Sequence, residues 1–236
     1  MIKDALRERF PVLFKWIKHL YYFFYERVLG KSRNELIFTK IYRRNLWGNQ
    51  DTRSGDGSTL ENTQSLKEEL PLLLQSLSSE SLLDIPCGDF YWMRNLDLPV
   101  KKYFGADIVK ELIADNNRRY ASAKIVFLTL DITADDLPLV DLIFCRDCLP
   151  HLPNESVIAA LKQIKKSKSK YLLTSTYINR LRNENILIGL FHPINLELAP
   201  FNLPKPLKII NDACFSERVN LPDKSLGLWL AEDIPE

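Results

Sequence analysis

The chain carries almost no excess charge: 32 basic and 30 acidic side chains leave a formal net charge of +2. That removes any whole-molecule electrostatic argument for nucleic acid as a partner. Cysteine is scarce, with Cys87, Cys145, Cys148 and Cys214 unevenly spaced. They form no disulfide framework, and the expected compartment is the reducing cytoplasm. Long apolar runs are missing as well. The stretch 10–29 is interrupted by Lys15, Lys18, His19, Glu26 and Arg27, whereas a membrane span needs about 20 mostly apolar residues. The charged start lacks a small-residue cleavage site, so no secretory signal is expected. No internal repeat is visible. Glycine is sparse where it would matter most. Only Gly88 lies in the turn after the first β-like run, so the G-x-G-x-x-G dinucleotide fingerprint is absent.

At 236 residues and 46% hydrophobic content, the chain can bury one sizeable α/β core. Residues 1–35 are aromatic and basic and read as a helical extension. Its aromatics, Phe10, Phe14, Trp16 and Tyr21 to Tyr25, go nearly all the way round a helix. That predicts packing on the main domain or on a second subunit (a homodimer) ahead of contact with a membrane surface through residues 1–30. Residues 36–80 read as a polar, glycine-containing loop followed by a helix to about Leu77. From residue 81 to 236, β-like runs at 81–85, 102–106, 124–130, 141–145 and 171–176 alternate with helical patterns at 110–120 and 154–166. Such alternation predicts βαβ units and a parallel sheet. Further strands are expected at 207–212 and 225–230. The Asn- and Pro-rich stretch 178–206 reads as an inserted cap.

The run Leu82-Leu83-Asp84-Ile85-Pro86-Cys87-Gly88-Asp89-Phe90 ends an apolar strand in an acid and a tight turn, with Phe90 to Met93 expected to open a helix. Open α/β sheets hold nucleotide-like ligands at such turns. Pro86 and Asp89 stand where glycines would help, which disfavours a pyrophosphate crossing the turn. Asp107 ends the next strand, about 20 residues on, where an acid accepts from ribose hydroxyls. Asp131 ends the strand after that. Any one such acid is an ordinary cap or turn residue; three ending successive strands are harder to assign to capping.

These residues resemble the class I S-adenosylmethionine-dependent methyltransferases over roughly 81–177. Asp84-x-x-Cys87-Gly88 looks like the first motif of that family, Asp107 like its ribose acid and Asp131 like its adenine-side acid. The departure is the missing glycines at positions 86 and 90. The segments 200–204 and 223–229 look like a narrower bacterial small-molecule subgroup. The resemblance implies a Rossmann-like, seven-stranded, mostly parallel sheet flanked by helices. It implies S-adenosylmethionine as cofactor and S-adenosylhomocysteine as product. It also implies a cofactor site of Asp84, Pro86, Cys87, Gly88, Asp107, Ile108, Asp131 and Ile132, with Arg146. The loop carrying Trp47, Ser54, Gly55, Gly57 and Ser58 reads as a lid over the methionine end, a plain flexible linker being the alternative.

In this family the end of the fourth strand faces the transferable methyl. Here it carries Arg146, Asp147 and His151. Methyl transfer from a sulfonium asks the protein to position the acceptor and steer its proton, and Asp147 and His151 can do so. Arg146 is expected to pair with Asp147 or hold an anionic acceptor. Cys145-x-x-Cys148 lacks further ligands for zinc, so no metal site is expected. Asn179, Arg182, Asn183, His192 and Asn195, with Phe191 and Phe201, suggest a pocket for a small polar acceptor, oxygen ahead of nitrogen. No basic stripe flanks this edge, so DNA and RNA are not expected. A nicotinamide-dependent oxidoreductase and a non-catalytic nucleotide-binding or membrane-surface module are the competing readings.

Overall fold

The computed structural model describes residues 33–48, 50–215 and 220–236. The aromatic-basic extension lies almost wholly outside them. Helix α1 (Arg33–Arg43) crosses from that extension into the segment read as lid loop, and α2 (Gln64–Ser76) follows the loop. The alternating core then runs β1 (Ser81–Asp84), β2 (Lys102–Asp107), α3 (Lys110–Tyr120), β3 (Ile125–Thr129), β4 (Leu142–Cys145), α4 (Asn154–Lys166) and β5 (Tyr171–Tyr177). It closes with β6 (Lys208–Asn211), the small pair β7 (Cys214–Phe215) and β8 (Asn220–Leu221), and β9 (Lys224–Leu230).

Seven strands form one sheet in the order β3-β2-β1-β4-β5-β9-β6, and β7 pairs only with β8. The strands from β3 to β5 are parallel, β9 is antiparallel to β5, and β6 is antiparallel to β9. Burial on both faces explains the near-continuous apolar strands. Neighbours along a strand go to opposite cores, as the period of two requires. Leu83, Ile143 and Cys145 pack with Val157, Leu161 and Ile164 of α4 on one face. Leu82, Leu142 and Phe144 pack with Leu66, Leu70 and Leu73 of α2 and Leu112 of α3 on the other. The buried positions of α4, at 157, 160, 161 and 164, follow the helical period of three and four.

Every strand read from the sequence is present, with ends shifted by no more than a residue or so. The helix expected from Phe90 is not. Phe90, Trp92 and Met93 are all buried, which a surface helix with one apolar stripe does not allow. Phe90 also takes a left-handed φ of 58°, and only a single 3-10 turn, Met93–Asn95, follows. The β7–β8 pair was not anticipated.

The chain leaves β1 for β2 and β3 on one side and returns to β4 on the other. The crevice at the C-terminal ends of β1 and β4 is therefore a topological switch point, the usual place for a ligand in such a sheet.

Candidate functional site

A cavity occupies that crevice. It is lined by the turn after β1, the ends of β2, β3 and β4, helix α1 and the loop 47–58. Three strand-end carboxylates converge on it. Asp84 accepts a hydrogen bond from the Tyr103 hydroxyl at 2.6 Å through Oδ2. Burial is the main reason its carboxyl is pushed up to about 7; the Tyr103 bond lowers it and the nearby Asp107 raises it further. Asp107 accepts from the Val109 N–H at 2.9 Å through Oδ1, and burial pushes it up to about 6. Asp131 is already engaged by the Thr133 N–H and hydroxyl at 2.9 and 2.6 Å, and by the Asn34 amide at 3.2 Å.

The turn itself shows why one glycine suffices. Gly88 has a φ of +52°, and a Cβ placed there would lie 2.2 Å from the Ser54 hydroxyl. The close neighbour is thus Ser54 of the loop 47–58. Asp89 is what holds that loop. Its carboxylate accepts from the Thr52 hydroxyl at 2.9 Å, the Arg53 N–H at 2.9 Å and the Ser54 hydroxyl at 3.0 Å. Ser54 returns a bond by accepting from the Asp89 N–H at 3.1 Å. These bonds tie the loop to the turn after β1. Gly57 brings it against the residues after β4, where an added Cβ would meet Asp147 Oδ2 at 2.9 Å.

At the β4 end of the cavity, Asp147 follows the strand with a φ of 53°. Its N–H donates to the Ser175 hydroxyl at 2.9 Å. Its Oδ2 lies 2.7 Å from Lys224 Nζ and 3.3 Å from Arg146 Nη1. Behind it, Asp212 takes a two-pronged bond from Arg146 at 2.9 Å on each arm and lies 3.0 Å from Lys224. Burial works against the Asp147 charge, but Lys224 and Arg146 outweigh it and hold the carboxyl far below the usual range. For Arg146 burial is likewise outweighed, by Asp212 and then Asp147, and the guanidinium stays charged. Asp147 keeps 27% of its side chain accessible, while Lys224 keeps 2%.

His151 sits on the short 3-10 turn after β4. Its ring lies 4.4 Å from that of Trp47 and 5.6 Å from that of Phe191. Nδ1 lies 3.0 Å from the Leu190 carbonyl oxygen. A carbonyl only accepts, so Nδ1 carries the proton and Nε2 the lone pair. Burial lowers the imidazole pKa, with Asp147 and the Leu190 bond pulling the other way.

Of the residues singled out from the sequence, Trp47, Ser54, Ser58, Asp84, Pro86, Cys87, Gly88, Asp107, Ile108, Asp131, Ile132, Arg146, Asp147 and His151 all line this one cavity. Gly55 and Gly57 do not; they shape the loop that does. Asn179 and Arg182 are exposed, while Asn183, His192 and Asn195 bond to nearby backbone. Asn183 donates to the Asn195 and Ala199 carbonyls at 2.9 Å each, and both ring nitrogens of His192 meet carbonyl oxygens, of Glu184 and Leu152. No residue of 178–206 lines the cavity. A long irregular segment must satisfy its own backbone, and these side chains do that work. Cys145 is fully buried in the core. Sequence reasoning passed over Asn34, Asp212 and Lys224, and it read Asp89 only as a place for a glycine. Nothing in local patterning marks the first three; a carboxylate directly after the turn glycine was a usable signal for Asp89. Among the described residues, no helix is long and apolar enough to cross a membrane.

No family model and no curated protein matches the chain. Solved structures do. Magnesium protoporphyrin IX methyltransferase from Synechocystis PCC 6803, determined with bound S-adenosylmethionine, superposes with a TM-score of 0.54 at 13% identity, over 87% of this chain and 93% of that one. The methyltransferase domain of bacterial CtHen1 gives a TM-score of 0.52 at 12% identity, over 72% of this chain and 99% of that domain. The fold is therefore that of the class I methyltransferases.

Proposed function

We propose that the chain transfers a methyl group from S-adenosylmethionine to the oxygen of a small polar acceptor, in the cytoplasm. The observation that carries this reading is the convergence of Asp84, Asp107 and Asp131 on one cavity, with His151 and Asp147 at its far end. The chemistry of the donor set fits the cofactor. Asp84 and Asp107 are buried carboxylates held above their ordinary range, Asp84 bonded to the Tyr103 hydroxyl and Asp107 to backbone N–H groups around it. A cationic ligand bearing hydroxyls relieves both of them. Asp107 would hold the ribose, Ile108 and Ile132 the adenine, and Asp84 the positively charged end. Trp47, Ser54 and Ser58 would close over it, the loop being latched on Asp89.

When bound, S-adenosylmethionine supplies a methyl on a sulfonium, whose S–C bond breaks as the bond to the acceptor atom forms. The residues of the chain do the rest. His151 would present Nε2 as a base, because the Leu190 carbonyl fixes its tautomer and burial lowers its pKa. Asp147 is too acidic to take a proton and acts as a fixed hydrogen-bond acceptor that orients the substrate. Arg146 and Lys224 hold Asp147 in place. The loop excludes water from the reacting end.

Calorimetry with S-adenosylhomocysteine tests the donor half directly. Binding to the intact protein is expected, weakened at least tenfold in Asp107→Ala. No binding to the intact protein, or binding of a nicotinamide dinucleotide in its place, overturns the proposal.

A further inference from the structure

The charges around the cavity leave one cation unused. Five carboxylates line it, Asp84, Asp89, Asp107, Asp131 and Asp147, against two side chains that are always cationic, Arg53 and Arg146. Arg146 is engaged by Asp212 at 2.9 Å and by Asp147 at 3.3 Å, and it is buried. Arg53 is not engaged in this way. Among the described residues its guanidinium is in no ion pair. Asp89 binds the Arg53 main chain instead. It accepts from that N–H at 2.9 Å, and from the Thr52 and Ser54 hydroxyls.

The guanidinium is nevertheless placed. It lies over the Tyr42 ring, 5.1 Å from the centroid, on the face that attracts a cation. Tyr42 and Arg53 line both the cavity and the polar groove outside it, and Arg53 is exposed. The pair therefore stands at the mouth of the cavity. The main chain is placed too. Ser54 lies against Gly88 and accepts from the Asp89 N–H, which sets Arg53 beside the turn after β1.

S-adenosylmethionine ends in an α-ammonium and an α-carboxylate. That carboxylate enters a cavity whose acids outnumber its cations. It loses hydration and meets like charge unless a cation receives it. A guanidinium offers a carboxylate two parallel N–H donors, and Arg53 is the cavity-lining cation with that capacity left. We infer that Arg53 receives the α-carboxylate of the donor at the mouth of the cavity, steadied by Tyr42, and selects the carboxylate-bearing cofactor over its decarboxylated form. This role is the counterpart of the one proposed for Asp84. The inference rests on the methyl-donor reading and adds to it the residue that reads the anionic end of the tail.

Calorimetry on the full chain compares S-adenosylhomocysteine with its decarboxylated analogue, which keeps the amine and lacks the carboxylate. The intact protein should bind S-adenosylhomocysteine about tenfold more tightly or better, the scale of one charge-assisted pair. Arg53→Gln keeps the main-chain N–H that donates to Asp89, so the loop retains its ties. The variant should lose about tenfold or more in S-adenosylhomocysteine affinity, with the analogue bound as before or more tightly. Arg53→Lys should recover part of the loss, because it restores the charge without the fork. Equal weakening of both ligands in Arg53→Gln would assign the side chain to the shape of the loop and overturns the inference. An unchanged S-adenosylhomocysteine affinity in that variant overturns it too, as does an intact protein that binds the two ligands alike. Binding of neither ligand to the intact protein defeats the donor reading itself, and the inference with it. Should the variant not fold, the preference of the intact protein between the two ligands still decides.

Discussion

Replacing Asp84 with asparagine should stabilise the ligand-free protein while damaging the proposed cofactor site. The reason is the carboxyl's displacement from 3.8 to about 7 on folding, caused chiefly by burial. Each pKa unit is about 1.4 kcal/mol, so ionised Asp84 disfavours the folded state by a ceiling of about 4 kcal/mol. Asparagine has the same shape and stays neutral, and its Oδ1 can still accept from the Tyr103 hydroxyl. It also removes the charge that faces Asp107. Allowing for water in the cavity, about 2 kcal/mol of added stability is expected at pH 8. The sign follows from linkage. The folded state binds the Asp84 proton more tightly than the unfolded state does. This contribution therefore favours folding at low pH, fades as pH rises between 3.8 and about 7, and is flat above. The advantage of Asp84→Asn should thus be largest above pH 7 and shrink toward pH 4. Urea unfolding of parent and variant at matched pH between 5 and 8.5 reads the difference, and other titrating groups cancel between the two curves. S-adenosylhomocysteine affinity should fall at least tenfold in the same variant. An asparagine variant that is less stable at pH 8, or a gap that does not change with pH, would refute the argument.

Lys224→Met should destabilise the fold by about 3–5 kcal/mol, because it leaves Asp147 and Asp212 sharing one buried cation; chemical denaturation measures it. Asp89→Ala removes the acceptor of the Thr52, Arg53 and Ser54 bonds. It should open the loop 47–58 to limited proteolysis and weaken cofactor binding while the sheet domain stays folded. If His151 is the base, turnover should be lost on acidification through a pKa below 6.5, since burial lowers that of the imidazole. His151→Ala should abolish this limb of the pH–rate profile together with most of the turnover. Cofactor affinity should also weaken as pH falls below about 7, because Asp84 and then Asp107 take up protons that a cationic ligand must displace.

The strands were legible because burial on both faces writes itself into unbroken apolar runs such as Leu142 to Cys145. The three acids were legible because a parallel strand ends where its apolar run ends, so Asp84, Asp107 and Asp131 had to reach one edge. The loop 47–58 was half legible: its glycines showed that it could fold against a neighbour, while Asp89, to which Thr52, Arg53 and Ser54 bond, looked like a departure from a pattern. The segment after Gly88 misled. Phe90, Trp92 and Met93 resemble the start of a helix by propensity, yet their shared burial draws the chain down against the sheet. The polar side chains of 178–206 misled in another way, since composition does not distinguish a residue that faces a ligand from one that satisfies nearby backbone.

Local chemistry sufficed for the donor end. The spacing of short strands, the acid at each strand end and the shortage of glycine in one turn already pointed to a nucleoside-like ligand without a pyrophosphate. The acceptor end depended on tertiary structure. Strand β9 runs antiparallel to β5, so its first residue, Lys224, lies opposite Tyr177 at the edge where the parallel strands finish. The residue after β6, Asp212, arrives there through the same reversal, its N–H bonded to the Lys224 carbonyl. That meeting joins side chains 77 positions apart, Lys224 and Asp147, into one ion pair. It holds Asp147 between two cations, Lys224 and Arg146. No local pattern carries this information, because strand direction and order are set by how the whole sheet closes.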